Sequence, residues 1–190
     1  MIESIRAEIS NKMNDVNTKL QKNLDSKIDV LKPLSELDKA FDLQDTIGEK
    51  ELSVRDIEFI KEDSGWSDKI VESIHSMKEY TIYQEADLKE VQIGDQPCLT
   101  KQDINTDQID EKGRTNSERL TKGLPPLDKN GSSIELHHIG QKSDSPLAEL
   151  TIKEHRGIGN DAILHDKTKM SEIDRSSFGN ERKKHWIERS

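Results

Sequence analysis

Apolar positions at the beginning of the chain recur with a helical period. Between Ile2 and Leu31 they return every three or four residues, with charged and polar residues between them. This spacing predicts one amphipathic helix that ends at Pro33, where the proline ring interrupts helical hydrogen bonding. The apolar stripe of residues 1–31 either packs against the rest of the chain or pairs with a helix of another chain.

The pattern predicts further helices up to about residue 80. A second short helix is expected over residues 35–48, and Ser53, with Asp56 three positions later, predicts the start of a third. The run Ser64-Gly65-Trp66-Ser67 interrupts that helix, with Trp66 expected in a core. Another helix is predicted over residues 67–80, so that residues 1–79 form a mainly helical region.

From residue 80 onward the pattern is typical of short strands. Thr81-Ile82-Tyr83 and residues 88–93 are rich in β-forming residues, and Gly94-Asp95 predicts the turn of a hairpin. Further strands are predicted over residues 134–139 and 145–150. A capping box then opens a helix at Thr151. Residues 80–190 are therefore expected to form a small α+β domain.

The composition agrees with two unequal parts. Apolar residues make up only 31% of the chain and charged residues 35%. That balance is poor for one large core and suits a solvent-rich helical segment joined to a compact domain. The single cysteine, Cys98, excludes an internal disulfide and a cysteine-rich zinc site. A bound metal would therefore need His and carboxylate ligands.

The net charge of −9 argues at first against a nucleic-acid partner. The charge is unevenly distributed, however. Residues 111–190 carry 15 Lys and Arg against 13 Asp and Glu, whereas residues 1–110 carry 14 against 25. The acidity belongs to the first half, and the C-terminal part tolerates contacts with phosphate groups.

Targeting signals are absent from the sequence pattern. No stretch approaches the roughly 18 apolar residues of a membrane-spanning helix, so no membrane partner is expected. The N-terminus also lacks the apolar segment of a cleavable signal peptide. Export would need another route or an upstream segment.

Two adjacent histidines end the strand predicted over residues 134–139. Neighbouring strand residues face opposite sides, so His137 and His138 point apart unless one of them lies on the following turn. One imidazole can then hold a metal while the other faces the water that it activates. A surface or purely structural pair is the competing interpretation.

Two further imidazoles follow at short distance along the chain. His155 lies in the first turn of the helix that begins at Thr151, and His165 follows a glycine-rich bend. One metal could collect His137, His155 and His165 and retain coordination positions for water and a phosphate oxygen. A Cys–His nucleophile pair using Cys98 is a remote alternative.

Several motifs in this half of the chain resemble the Leu-His-His branch of the HNH/endonuclease VII nuclease superfamily, which occurs as the C-terminal toxin module of bacterial polymorphic toxins. They occur in order from residue 113 to residue 165: Gly113-Arg114-Thr115-Asn116, Gly123-Leu124-Pro125-Pro126-Leu127-Asp128, Glu135-Leu136-His137-His138-Ile139-Gly140-Gln141, Leu147-Ala148-Glu149-Leu150-Thr151, His155-Arg156, Gly159-Asn160 and Leu164-His165. The resemblance covers residues 80–190 and implies a ββα-metal (His-Me finger) core. Residues 1–79 would then be an acidic linker or pretoxin region.

The resemblance also implies roles for individual residues. His137 would bind the metal, His138 would be the general base, and Glu135 would match an acid that supports the ligands. His155 matches the first ligand from the helix. Related enzymes place another His four residues later, where this chain has Gly159. The remaining ligand therefore lies between His165, which we favour, and Asn160.

The mechanism expected from these roles is hydrolysis of a phosphodiester bond. Neutral His138 takes a proton from the attacking water, and the cation stabilises the charge of the transition state. Arg182 is the preferred clamp for the neighbouring phosphates, with Arg156 next. A solvated helix face is the alternative for Arg182. The metal is one divalent ion, Mg²⁺, Mn²⁺, Zn²⁺ or Ni²⁺.

DNA is the expected substrate, with little sequence preference because no base-reading helix is visible. The resemblance implies a toxin that is delivered into the cytoplasm of a target cell and neutralised by a tightly bound immunity protein. Three alternatives remain. The first is an RNase of the same fold, and the second is a non-catalytic module stabilised by metal. The third is an interaction module whose function resides in its acidic N-terminal helices.

Overall fold

The computed structural model describes residues 52–168 and 173–190, with Arg175 described by its backbone alone. The helices predicted over residues 1–31 and 35–48 lie outside the described residues. In chain order, the elements are α1 (Val54–Ser64), α2 (Asp68–Val71), α3 (Met77–Glu85), β1 (Lys89–Ile93), β2 (Gln96–Thr100), α4 (Asn116–Thr121), β3 (Glu135–His138), β4 (Leu147–Leu150), α5 (Ile152–Arg156), α6 (Asn160–Leu164) and α7 (Arg175–Glu188). The α+β class predicted from the sequence is confirmed.

The four strands form one sheet in the order β1-β2-β4-β3. The β1–β2 hairpin is antiparallel and turns at Gly94-Asp95, as predicted. β3 and β4 are also antiparallel, with His137 opposite Ala148 and His138 opposite Leu147. A short parallel contact, Leu99 opposite Ala148, joins the two pairs. β3, β4 and α5 supply the two strands and the helix of the predicted ββα core.

Helices cover both faces of the sheet, so side chains alternate between two cores. The first core joins Leu99, Ala148 and Leu150 to α1, α2, α3 and α6, and it includes Trp66 as predicted. The second joins Cys98, Leu136 and Leu147 to Leu120 of α4 and Trp186 of α7. Because side chains alternate along a strand, successive residues of β3 point towards the first and the second core in turn.

Local signals explain where several helices begin. Capping boxes open α1 at Ser53 and α5 at Thr151, as predicted, and α4 at Thr115. Each cap satisfies backbone N–H groups that have no partner within the helix, and is worth about 1 kcal/mol. Gly65 ends α1 in the left-handed conformation at φ 69°, which glycine adopts without strain.

Two predictions for residues 67–83 are wrong. The helix predicted over residues 67–80 is interrupted, because Ser76 caps a new helix, α3, with a hydrogen bond from the backbone N–H of Glu79. Thr81-Ile82-Tyr83, predicted as a strand, lies within α3. Burial of Ile82 and Tyr83 in the first core outweighs their β propensity.

Helices α1 and α2 are part of the same compact unit as the sheet. That unit spans Lys50–Ser190, and Ile60, Ile70 and Tyr83 lie fully buried in the core that contains Leu99 and Leu150. The boundary predicted between residues 79 and 80 therefore falls inside α3. Among the described residues, no helix combines the length and apolar character needed to cross a membrane.

Candidate metal centre

Strand β3 places its two adjacent histidines on opposite faces of the sheet. His137 points towards α5 and α6, where it contacts the rings of His155 and His165. His138 points towards α7 and packs on Phe178, with 4.6 Å between the ring centroids. The predicted divergence of the pair is therefore confirmed, and each histidine has its own set of neighbours.

Three imidazoles converge on the His137 side. His137 comes from β3, His155 from α5 and His165 from the residue that ends α6. One ring nitrogen of each lies within 4.8 Å of those of the other two. His155 Nε2 is 3.3 Å from His137 Nδ1, and both residues are buried. The structure therefore brings together the three histidines predicted as metal ligands.

A carboxylate lies behind each imidazole, on the ring nitrogen that points away from the cluster. Glu135 Oε2 is 2.8 Å from His155 Nδ1, and Asp161 Oδ1 is 3.1 Å from His165 Nδ1. Glu79 Oε1 is 3.8 Å from His137 Nε2. Acids in this position hold the ring orientation and keep the inner nitrogen unprotonated, as around protein-bound metals.

Glu79 is a residue that the sequence analysis did not single out. Its carboxylate is only 2% exposed and accepts hydrogen bonds from Tyr83, Gly140 and His75: from the hydroxyl of the first and from the backbone N–H groups of the other two. In the sequence it is one acid among many in a predicted helix. Only the packing of α3 against the turn after β3 brings it to His137.

The electrostatics keep the two buried ligands, His137 and His155, in the neutral form that can bind a metal. Burial lowers the pKa of His137 and outweighs the attraction of Glu79. Burial and the neighbouring His137 lower the pKa of His155 to about 4, against the opposing effect of Glu135. For Glu79, burial alone would raise the pKa, but hydrogen bonds to the carboxylate outweigh it and lower the pKa. His137 and His155 are therefore neutral at pH 7, with lone pairs to donate.

His138 lies in a different environment on the other face. It is 4% exposed, and its Nε2 is 3.1 Å from Glu181 Oε2 without hydrogen-bond geometry. Burial lowers the pKa of His138, with Glu181 opposing the shift. The prediction that this imidazole faces water is wrong, because Phe178 and Glu181 of α7 cover it. It nevertheless stays outside the three-histidine cluster.

Comparison with known families gives one match. Residues 115–190 match the model of LHH, described as a nuclease of the HNH/ENDO VII superfamily with conserved LHH. This part of the chain is therefore similar to the LHH nuclease family. A search of curated proteins and a search of solved structures give no match.

The LHH run of the matched region is Leu136-His137-His138, the segment that forms most of β3. Leu136 faces the second core and anchors the strand, which fixes the direction of the two histidines after it. The matched region also contains His155, His165 and Glu135. Glu79 lies outside it, although Glu79 packs against its first histidine.

The donor set in the LHH domain fits a divalent cation. Imidazole nitrogens bind Zn²⁺, Ni²⁺, Cu²⁺ and Fe²⁺ readily, and three of them leave coordination positions open. Two of the three rings are neutral, and the acids behind all three supply negative charge against a dication. His137 Nδ1 and His155 Nε2 also face each other at 3.3 Å, an arrangement that a shared ion would stabilise.

The other residues predicted for the site are placed as follows. Asn160, the alternative ligand, donates its amide to the backbone carbonyl of Glu154 instead. Arg156 pairs with Glu135 through two hydrogen-bonding contacts of 2.8 Å, so it is engaged in holding that carboxylate. Arg182 is exposed on α7, 5.1 Å above the ring of Phe178 that covers His138. It lies near His138, on the opposite face from the cluster.

A second buried histidine on the His138 face connects α7 to the sheet. His185 Nε2 is 3.0 Å from Glu149 Oε1, and Arg189 donates to the same oxygen. His185 Nδ1 is 4.0 Å from the thiol of Cys98. Burial raises the pKa of Cys98 to about 11, so it stays a thiol. This geometry favours a structural role for the pair.

Proposed function

We propose that this chain is a metal-dependent endonuclease that hydrolyses phosphodiester bonds of DNA. The observation that carries the proposal is the convergence of His137, His155 and His165, each with a carboxylate on its outer nitrogen. A metal ion accounts for three imidazoles that face one another, of which His137 and His155 are buried and His165 is partly exposed.

We assign His137, His155 and His165 as the ligands of one divalent cation. The cation supplies positive charge that stabilises the phosphorane-like transition state and the departing oxygen. The chain holds the three rings in place through Glu79, Glu135 and Asp161. Glu135 is fixed in turn by Arg156, so the ligand on α5 is oriented by two side chains.

We assign His138 as the general base. Its Nε2 is buried and makes no hydrogen bond among the described residues, so it is available to accept a proton from water. The Glu181 carboxylate, 3.1 Å away, then stabilises the imidazolium. The Glu181 side chain is 43% exposed, which leaves it room to rotate towards solvent and admit the reacting groups. Arg182 beside it would clamp a neighbouring phosphate.

His138 lies outside the three-histidine cluster, which leaves it free of the ligand set as the enzyme requires. A metal-stabilised binding module is the competing proposal, and the cleavage assay below separates the two. The choice of DNA over RNA rests on the resemblance described above, and an RNase of the same fold is the alternative outcome of the test below.

We further propose that the nuclease acts as a toxin that is delivered into the cytoplasm of a target cell and is bound by an immunity protein. This role rests on the resemblance to toxin modules. The test is to express the chain in bacteria alone and together with the protein encoded by a neighbouring gene. A second protein that abolishes the toxicity and co-purifies with the chain would support this role. Normal growth of bacteria that accumulate active nuclease would contradict it.

The test of the proposal is cleavage of plasmid DNA and of RNA by the purified chain, with Mg²⁺, Mn²⁺, Zn²⁺, Ni²⁺ or EDTA. The expected result is DNA cleavage that needs a metal and stops with EDTA. Cleavage of RNA but not of DNA would show that the substrate is RNA instead of DNA. Absence of cleavage of both polymers with every metal would overturn the enzyme and leave the cluster as a structural site.

A matched pair of variants tests the base in the same assay. His138 and His185 are both buried imidazoles on the α7 side, each within about 3 Å of a Glu carboxylate oxygen. His138→Gln should lose cleavage while keeping its circular dichroism spectrum, and His185→Gln should keep cleavage. Equal loss in both would show that damage to the α7 face, not loss of a base, explains the result.

A further inference from the structure

Helix α3 contributes a buried acid to the nuclease although it lies before the family-matched residues. Glu79 precedes the matched region, which begins at residue 115. The loop before α3 also packs closely on the turn after β3. A Cβ added to Gly140 would lie 2.2 Å from the carbonyl oxygen of Ser73, so glycine is required for this approach.

The carboxylate of Glu79 connects that turn with the first core. Its Oε1 accepts hydrogen bonds from Gly140 N at 2.8 Å and from the Tyr83 hydroxyl at 2.6 Å. Its Oε2 accepts one from His75 N at 2.8 Å. None of these donors carries a charge. Burial of an ionised carboxylate costs free energy unless a positive charge or a further donor lies close by.

Two imidazole nitrogens lie near it: Nδ1 of His75, which is 28% exposed and 3.9 Å from Glu79 Oε2, and the outer nitrogen of the buried His137. Of these two histidines, His137 is the one that belongs to the cluster. Among the described residues, the buried side-chain polar atoms without a hydrogen-bond partner are Nε2 of His137 and Nε2 of His138. His137 Nε2 is 3.8 Å from Glu79 Oε1, while its Nδ1 faces His155 within the cluster. A small movement of the ring would convert the contact into an N–H···O bond.

We propose that Glu79 is the positioning residue for His137: it fixes the tautomer with the proton on Nε2, so that Nδ1 carries the lone pair into the metal centre. His155 has the opposite arrangement, with Nδ1 on Glu135 and Nε2 directed inwards. The inference rests on the proposed function, because it takes the cluster to be a metal site. It makes the helical segment before the family-matched residues a working part of the nuclease.

Charge balance supports the assignment. Of the three carboxylates behind the ligands, Glu135 is already paired with Arg156 and Asp161 with Lys167. Glu79, behind His137, is buried and has no Lys or Arg partner among the described residues. A dication at the cluster would therefore neutralise Glu79 through His137.

The first test uses the wild-type chain and reads the tautomers directly. Long-range ¹H–¹⁵N correlation spectra of the Zn²⁺-loaded, ¹⁵N-labelled protein should show His137 with a protonated Nε2 and a metal-bound Nδ1, and His155 with the reverse. His137→Gln assigns the signal. A metal-bound Nε2 at His137 would overturn the proposal without affecting the metal site itself.

The second test compares two variants that remove different partners of the same acid. Glu79→Gln removes the charge behind His137, while Tyr83→Phe removes one donor to Glu79 and leaves the carboxylate. Titration with Co²⁺, followed by its visible absorption, should show affinity about 10–100-fold weaker for Glu79→Gln. Tyr83→Phe should stay within about threefold of wild type, although both lose thermal stability.

The outcomes separate this inference from the function on which it rests. Wild-type protein that binds neither Zn²⁺ nor Co²⁺ would contradict the metal centre as a whole. Wild type that binds them, with Glu79→Gln binding equally well, would contradict the role of Glu79 alone. If Glu79→Gln fails to fold, the tautomer of His137 in the wild-type spectrum decides the question.

Discussion

The two faces of β3 give adjacent histidines very different surroundings. On the α5–α6 face, His137 meets two more imidazoles, and acids lie on the outer nitrogens of all three rings. On the α7 face, His138 meets an aromatic ring and one half-exposed acid. The first arrangement surrounds an ion, and the second isolates a single proton acceptor.

Strand geometry alone creates this division. A one-residue step along a strand reverses the side of the sheet, so a pair of identical residues reaches two chemically distinct sites. Leu136 and Leu150, buried on opposite faces, hold that register. Variants on the two faces should therefore fail in different ways, and the predictions below test that difference.

Loss of a ligand should have the largest effect. His155→Ala removes one of three imidazoles and leaves Glu135 without its histidine partner. We expect metal affinity to fall by more than the ~10–100-fold typical of outer residues, and cleavage to fall to background. Isothermal titration with Zn²⁺ and a plasmid assay measure both quantities. Unchanged affinity would remove His155 from the ligand set.

His138→Gln should separate catalysis from metal binding. Loss of a general base lowers cleavage by about 10²–10⁴-fold, but the cluster on the other face is untouched, so the metal affinity should equal that of wild type. The comparison is kcat against the dissociation constant for Zn²⁺ on the same preparation. A parallel loss of both would show that the two faces are one site.

Glu135→Gln should have an intermediate effect on the ligand face. The amide keeps the size of the side chain but loses the charge that orients His155 and pairs with Arg156. We expect metal affinity about 10–100-fold weaker, with nuclease activity restored at high metal concentration. Activity that stays lost at saturating metal would instead place Glu135 in the chemical step.

The pH dependence should follow the buried His155. Its pKa is lowered to about 4 in the folded chain, from 6.5 for an ordinary histidine. The unfolded chain therefore binds the extra proton first, so this contribution to stability is complete above pH 6.5 and is lost as the pH falls towards 4. Urea unfolding of metal-free protein between pH 8 and 4 measures it. The His155→Ala variant should show a shallower slope.

Arg182→Ala should have the smallest effect. The side chain is exposed and stacks on Phe178, so its removal leaves both cores intact. If it contacts a phosphate, nucleic-acid binding weakens, and the slope of log affinity against log salt decreases by about one. Lys183→Ala, also exposed on α7, is the control. An unchanged salt slope in Arg182→Ala would make it part of a solvated helix face.

Local signals in the sequence were sufficient for much of the nuclease domain. The hairpin at Gly94-Asp95, the capping box at Thr151 and the opposite directions of His137 and His138 follow from turn chemistry, helix capping and strand period. These are properties of neighbouring residues, so they are legible without the fold. The same signals placed His137, His155 and His165 close enough along the chain to predict the cluster that the structure shows.

What the sequence did not reveal depends on contacts between distant segments. Glu79 reaches His137 across 58 positions, and His185 reaches Glu149 across 36. Neither Glu79 nor Glu149 stands out in the sequence, because the chain contains many other acidic residues. The residue types around Tyr83 predict a strand, because the helix that contains Tyr83 is stabilised by the core that it enters and not by the helix propensity of its residues. The packing of α7 over His138 likewise could not be predicted from the sequence.

The most direct test of the metal centre is a titration of metal-free protein that follows bound metal and DNA cleavage together. We expect cleavage to rise in proportion to metal occupancy and to reach its plateau at one equivalent per chain, and we expect His155→Ala to show neither metal binding nor cleavage. Full cleavage by metal-free protein in the presence of chelator, or a plateau unrelated to occupancy of the cluster, would contradict this expectation.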